Sequence, residues 1–123
     1  MKTNRFNISF DQTIETNFKQ LSNCSINDFI TSIEYDFQDC LKPRLILTYT
    51  NAIINETSVY KILKQILKPN KTDVSLTINL MNRSSDILET YTFESQKIFL
   101  IPFDKLDCSE SSVVYGKMFI YTF

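Results

Sequence analysis

The chain has 123 residues, of which 43% are hydrophobic and 22% are charged, and its formal net charge is −1. This length and composition are typical of one globular domain with a buried core, and the charge gives no attraction to nucleic acid or to an anionic membrane. The chain has no histidine and one glycine, Gly116. These absences exclude catalytic sites and metal sites that need histidine, and they exclude glycine-rich phosphate loops.

The cysteines also argue against a metal site. Cys24, Cys40 and Cys108 fit no zinc-binding spacing, and their odd number favours free thiols in a reducing compartment. One disulfide with a spare thiol is the alternative. The N-terminal segment is too polar for a signal peptide, and no apolar run approaches the ~18 residues of a membrane span, so we expect no membrane association.

Periodicity predicts four strands in the first half of the chain. The first covers 6–10, where apolar and polar residues alternate. The second covers 14–21, for which a short helix is the alternative. The third covers 29–37, with its apolar residues at odd positions. The fourth covers 45–49, and apolar residues on both of its faces suggest that both are covered.

One segment, Glu56 to Leu67, has the spacing of an amphipathic helix. Asn55 or Thr57 is the expected N-cap, and Pro69 ends the segment. We expect this helix to lie on a sheet as a lid, with a partner-binding or membrane-surface helix as the alternative. Its apolar residues recur at intervals of three and four and share one face, as follows: Val59, Ile62, Leu63, Ile66 and Leu67.

Further strands are predicted after the helix. Segments 74–80 and 87–93 flank a polar turn at 82–85 and form a plausible hairpin. A short strand follows at 97–101. The last strand, 113–123, has apolar residues on both faces, so we expect it to be buried on both sides, within its own core or against another subunit.

The predicted order is four strands, one helix and about four more strands. It indicates a single α+β domain over residues 1–123, mainly an antiparallel β-sandwich or barrel with one flanking α-helix.

The closing segment carries a family resemblance. It consists of an apolar run at 99–103, the element Leu106-Asp107-Cys108-Ser109-Glu110-Ser111, and the alternating strand 113–123. In this order it resembles the end of the tail-tube proteins of contractile-tailed bacteriophages. Four earlier parts of the chain are similar to the family's opening strand, its corner, its helix and its central hairpin: 4–10, 42–51, 56–67 and 72–93.

The resemblance implies a structural virion protein of the phage tail, assembled in the host cytoplasm. Family members form hexameric rings that stack into a hollow tube, through which DNA passes on ejection as cargo that is not specifically bound. The implied partners are further copies, sheath, baseplate and tape-measure proteins. On this basis we expect the following residues at subunit interfaces: Phe37, Cys40, Pro43, Phe103, Leu106, Asp107, Val113, Phe119, Ile120 and Phe123. The polar face of strand 74–80 fits the tube lumen, although from the sequence alone an ordinary solvent-facing side is the favoured explanation.

Two departures from the family keep alternatives open. The chain is shorter than many tube subunits, and its connection at 37–43 is brief where the family often has a long hairpin. A tube-fold baseplate protein, a tube initiator or a tail terminator therefore remains an alternative to the repeating subunit. A small non-enzymatic adaptor is a further one.

An enzyme or metal site is the least supported hypothesis. The carboxylate pairs Glu34 with Asp36 and Asp104 with Asp107 are its candidates, and surface charges explain both pairs more simply. The sequence therefore predicts a protein with no catalytic residues, no metal and no cofactor.

Overall fold

A computed structural model of the chain describes residues 5–67, 74–108 and 113–122. Within them the chain forms eight strands and two α-helices, with a 3-10 turn at Ile26–Asp28. The order is β1 (Phe6–Phe10), α1 (Gln12–Ser22), β2 (Ile30–Asp36), β3 (Arg44–Thr50), β4 (Ile53–Ile54), β5 (Thr57–Ser58), α2 (Val59–Ile66), β6 (Val74–Met81), β7 (Ile87–Ile101) and β8 (Tyr115–Thr122).

Six of the strands form one antiparallel sheet in the order β1-β6-β7-β8-β3-β2, and β4 pairs with β5 as a separate hairpin. The α+β class predicted from the sequence is confirmed. The expected sandwich or barrel is not what forms, because the sheet is open, with β1 and β2 as its outer strands. The described residues also contain two flanking helices where one was expected.

The additional helix is α1, which covers the whole of the segment 14–21 that was predicted as a second strand. Ile14 and Phe18 are four residues apart, a spacing that places them on one face of a strand or of a helix. The start of the helix decides the outcome, because the Asp11 side chain accepts a hydrogen bond from the backbone N–H of Ile14 at 3.0 Å. Asn23 ends the helix in the left-handed region at φ 60°.

Helix α2 is shorter than predicted. Asn55 and Glu56 both have positive φ (51° and 66°) and form the two-residue turn of the β4–β5 hairpin. The N-cap is therefore Ser58, not Asn55 or Thr57. The predicted apolar face is confirmed, since Val59, Ile62, Leu63, Ile66 and Leu67 are all buried. Pro69 lies outside the described residues.

The hydrophobic core lies between the two helices and one face of the sheet. Ile14 and Phe18 of α1 join the apolar face of α2 in a single buried cluster with residues from the sheet. Strand pairing sets Leu45 beside Ile120 and Leu47 beside Met118, so neighbouring strands direct side chains to the same face. The sheet residues of this core are Ile8, Phe10, Ile30, Leu45, Leu47, Tyr49, Val74, Leu76, Ile78, Met118 and Ile120.

Strand β7 joins two parts of the sheet. Segment 87–95 pairs with β6, segment 95–101 pairs with β8, and the register shifts between Ser95 and Lys97. The two strands predicted at 87–93 and 97–101 are thus one 15-residue strand. The rings of Tyr35 on β2 and Phe93 on β7 lie 6.1 Å apart, although three strand spacings of about 4.8 Å separate these strands in a flat sheet. The sheet therefore curls around its core.

Candidate assembly surfaces

The outer edge of β1 is closed by side chains. The backbone N–H of Ile8 donates to Asn27 Oδ1 at 2.9 Å, and the N–H of Phe10 donates to Glu15 Oε1 at 2.8 Å. These two N–H groups are therefore already hydrogen-bonded and cannot donate to an added strand. Side chains of α1 and of the 3-10 turn therefore protect this edge from pairing with another chain.

Two other edges are open within the described part of the chain. Strand β2 is the last strand on its side of the sheet, and segment 87–94 of β7 pairs with β6 on one side, with no described strand on the other. An open edge presents unpaired backbone donors and acceptors, which makes it a template for a strand from another molecule.

The β6–β7 hairpin extends beyond the core as a projection that we call the hairpin arm, residues 80–92. Its apolar residues are exposed: the relative solvent accessibility is 58% for Ile87 and 64% for Leu88. Leu80 and Tyr91 are also exposed. The core does not use these side chains, so the arm offers apolar surface for a contact outside the chain.

The tip of the arm is held by a network of hydrogen bonds. Asn82 Oδ1 accepts from the backbone N–H groups of Ser84 at 2.9 Å and Asp86 at 3.0 Å. This confirms the turn predicted at 82–85. Beyond it, the hydroxyl of Tyr91 donates to a carboxylate oxygen of Glu89, which raises the pKa of Tyr91. The Asp86 carboxylate thus lies on an ordered turn, and the Glu89 carboxylate lies on the adjoining strand, bonded to Tyr91.

The β2–β3 connection holds three of the expected interface residues. Phe37 and Cys40 are exposed, and Pro43 is half-buried. Arg44 Nε lies 2.9 Å from Asp36 Oδ2 and so joins the two ends of the connection. The hydrogen bond from Arg44 lowers the pKa of the Asp36 carboxyl, and the same bond raises the pKa of Arg44.

The β7–β8 connection holds four more of the expected interface residues, and all four are exposed: Phe103, Leu106, Asp107 and Val113. It lies at the opposite end of β3 and β8 from the β2–β3 connection, because Thr50 pairs with Tyr115 and Arg44 pairs with Tyr121. The six residue-to-residue steps from Arg44 to Thr50 separate the two groups by about 20 Å. The expected interface residues therefore form two surfaces at opposite ends of the sheet.

The remaining expected residues lie on or beyond β8. The strand alternates, with Gly116, Met118, Ile120 and Thr122 buried and the residues between them partly accessible. Ile120 therefore lies in the core of its own chain, which removes it from the candidate surface. Phe119 is on the outer face, where the Arg44 guanidinium lies 4.9 Å from its ring centroid. Phe123 lies outside the described residues.

A groove that the sequence did not predict lies on this outer face of the sheet, opposite the helices. It encloses about 470 Å³ between the β2–β3 connection and strands β7 and β8. The rings of Phe99 and Tyr121 meet edge to face at 6.0 Å, and Lys97 Nζ lies 4.8 Å from the centroid of Phe99. We call it the basic groove, since Lys42 and Lys97 line it. Alternation in β7 indicated the exposure of Lys97 and Phe99, but only strand pairing brings them beside Tyr121.

Two of the carboxylates considered as catalytic or metal-binding candidates lie beside basic side chains. Asp36 pairs with Arg44, and Asp104 Oδ2 lies 3.8 Å from Lys117 Nζ. Among the described residues no three His, Cys, Asp or Glu side chains are grouped to hold a metal ion. The three cysteines are free thiols. No helix in the described ranges has the length and hydropathy to cross a membrane.

Comparisons with known proteins assign no family to the chain. No protein-family model matches the sequence, and no curated protein or solved structure matches it significantly. The residue pattern and the surfaces described above are therefore what bears on function.

Proposed function

We propose that this chain is a structural subunit of a phage tail tube, which assembles by repeated contacts between copies into rings through which DNA passes. The resemblance of its closing segment supports the family. The proposal rests on a difference between the sheet edges. The β1 edge is closed by Asn27 and Glu15, whereas the edges of β2 and of the first half of β7 are open. A chain that protects one edge and leaves two open has edges available for neighbours.

The position of the open edges fits ring formation. They belong to different strands, β2 and the first half of β7, and within one chain they approach each other at the rings of Tyr35 and Phe93. A contact between the two edges of different copies would join unlike surfaces. Such head-to-tail contacts repeat from copy to copy, and they close into rings or continue as filaments. A contact between identical surfaces would stop at a dimer.

The outer face of β1, β6 and the arm fits a lumen that lets DNA slide. Neutral side chains form a hydrogen-bonded row across it: Asn79 Nδ2 donates to Asn7 Oδ1 at 3.0 Å, and Thr90 Oγ1 donates to Asn79 Oδ1 at 2.8 Å. A cationic surface would bind phosphates and hold the DNA. A row of paired neutral groups would not.

Light scattering after size-exclusion chromatography, over a wide range of protein concentration, tests the proposal together with negative-stain electron microscopy. We expect oligomers that grow with concentration and appear as rings or tubes with a central hole. A protein that stays monomeric at the highest concentration, with no rings in the images, contradicts the proposal.

Two exposed serines offer a matched pair of variants for this experiment. Ser32 lies on the open strand β2, and Ser9 lies on the closed strand β1. A lysine on an edge strand disfavours pairing with another chain. We therefore expect Ser32→Lys to weaken assembly and Ser9→Lys to leave it unchanged. Equal effects of the two would mean that the β2 edge is not used.

A further inference from the structure

We infer that the basic groove binds the acidic tip of the hairpin arm from a second copy of this chain. The inference rests on the proposed function, since it names one contact by which the subunits assemble. It joins the groove, which lies apart from the core and the open edges, to the tip, whose residues 87–89 begin the open edge of β7.

The tip offers an apolar pair between two carboxylates. Asp86, Ile87, Leu88 and Glu89 follow one another where the hairpin turn leads into β7. All four are exposed, and most of the surface of Ile87 and of Leu88 is accessible. The tip is therefore a projecting apolar knob with negative charge on both sides.

The groove has the complementary composition. Its apolar surface comes from Leu41, Pro43 and the edge-to-face rings of Phe99 and Tyr121, and its two charged residues are Lys42 and Lys97. No residue that lines the groove is acidic. An occupant with apolar side chains and carboxylates would bury the exposed rings and neutralise both lysines. The tip of the arm has both features.

The contact has to join two molecules. Glu89 and Lys97 are eight residues apart on the same strand, which at about 3.3 Å per residue separates them by roughly 26 Å. A tip therefore does not reach the groove of its own chain. Because tip and groove are different surfaces, the contact is head-to-tail, and a pair of copies still has one free tip and one free groove for further neighbours.

Charge reversal on each side tests the contact. Lys97→Glu in the groove and Glu89→Lys at the tip each place like charges together, and we expect either variant to weaken self-association by about tenfold or more. Carrying both substitutions in one chain restores opposite charges and should restore assembly. Lys61→Glu changes an exposed lysine of α2 away from the groove and serves as the matched control. Circular dichroism and thermal melting show whether each variant is folded.

Mixing the two single variants gives a sharper outcome. The wild-type groove of Glu89→Lys accepts the wild-type tip of Lys97→Glu, and the altered groove of Lys97→Glu is complementary in charge to the altered tip of Glu89→Lys. We therefore expect the mixture to assemble with the two variants in alternation, whereas each variant by itself stays small. Light scattering that shows two unmixed monomers contradicts the proposed pairing.

An engineered disulfide gives a second readout. Cys40 is exposed in the connection beside the groove, and Ser84 is exposed at the tip. In a Cys24→Ser, Cys108→Ser background, mild oxidation of Ser84→Cys should cross-link copies in series, and adding Cys40→Ser should prevent it. Cross-linking that does not depend on Cys40 overturns the inference.

The inference and the proposed function fail in different ways. If the wild-type protein forms rings and both charge variants form them equally well, this contact is wrong and the proposed function stands. If the wild-type protein is monomeric under all conditions, both are overturned.

Discussion

At the residue scale, the side chain of Tyr49 explains why the single glycine of the chain stands at position 116. Tyr49 is fully buried and pairs across the strands with Gly116, and its hydroxyl donates to the backbone carbonyl of Ile101 at 2.7 Å. The ring therefore crosses β8 at position 116, where a Cβ would overlap the end of the ring and lie 2.6 Å from the Ile101 carbonyl oxygen. Burial also raises the pKa of Tyr49, which keeps the hydroxyl protonated as a donor.

Because the Tyr49 ring crosses β8 at Gly116, we expect substitutions at positions 49 and 116 to be coupled in their effects on the free energy of unfolding. Gly116→Ala should lower the free energy of unfolding by about 1–3 kcal/mol, because the core cannot accommodate the added methyl group. In a Tyr49→Leu background the contact with the ring is removed and the contact with the Ile101 carbonyl oxygen remains, so the same change should cost less. Urea denaturation of the four proteins in a double-mutant cycle measures the coupling. An equal cost in both backgrounds would show that the ring is not what excludes a side chain at 116.

At the element scale, β8 shows how one strand serves two surfaces. Ile120 is fully buried beneath the helices, and its neighbour Phe119 lies on the opposite face against Arg44. The apolar residues on both faces suggested equal burial on both sides. The structure instead gives a core face and a partly accessible face that adjoins the basic groove.

The two faces of β8 should respond differently to charge. Ile120→Asp buries an unpaired carboxylate in the core, at a cost of several kcal/mol, and should prevent folding. Phe119→Asp places the carboxylate near Arg44 on the accessible face, so this variant should fold. Far-ultraviolet circular dichroism and thermal melting of both proteins test the difference. A folded Ile120→Asp protein would contradict the assignment of this face to the core.

At the scale of the whole molecule, the chain has surfaces suited to neighbours in several directions. The β2–β3 and β7–β8 connections lie at opposite ends of the sheet, and the hairpin arm projects from its side. The helices cover one face of the sheet, so the outer face and the open edges remain available. Among these surfaces, the basic groove and the acidic tip of the arm carry opposite charges, and we propose that they attract each other in different copies.

Assembly should therefore weaken with salt. Raising the ionic strength from about 0.1 M to about 1 M shortens the Debye length from about 10 Å to about 3 Å, which screens the lysines of the groove from the carboxylates of the tip. We expect sedimentation velocity to show smaller oligomers at high salt for the wild-type protein. The chain that carries both Lys97→Glu and Glu89→Lys should respond in the same way, since its charges are exchanged. Assembly that strengthens with salt would indicate a contact dominated by apolar burial.

Much of the local structure was predictable because strands and helices each have a characteristic spacing of apolar residues along the chain. Strand 74–80 and the apolar face of α2 follow from alternation and from the spacing of three and four residues, and the turn at 82–85 follows from its polar residues. The prediction of a strand at 14–21 was wrong because Ile14 and Phe18 fit both the strand repeat and the helix repeat. The cap at Asp11, which decides between strand and helix, is a contact of a single side chain. Helix α2 begins later than predicted because Asn55 and Glu56 adopt positive φ, a backbone conformation that the spacing of apolar residues does not indicate.

By itself, the sequence determined the α+β class, most strands and one helix face, since these depend on residue type and spacing along the chain. Only the tertiary structure decided that the sheet stays open, that one edge is closed by Asn27 and Glu15, and that Ile120 belongs to the core. It alone also formed the basic groove, from residues more than fifty positions apart in the chain. These features depend on strand order and on contacts between distant segments, which the pattern of a single segment does not encode.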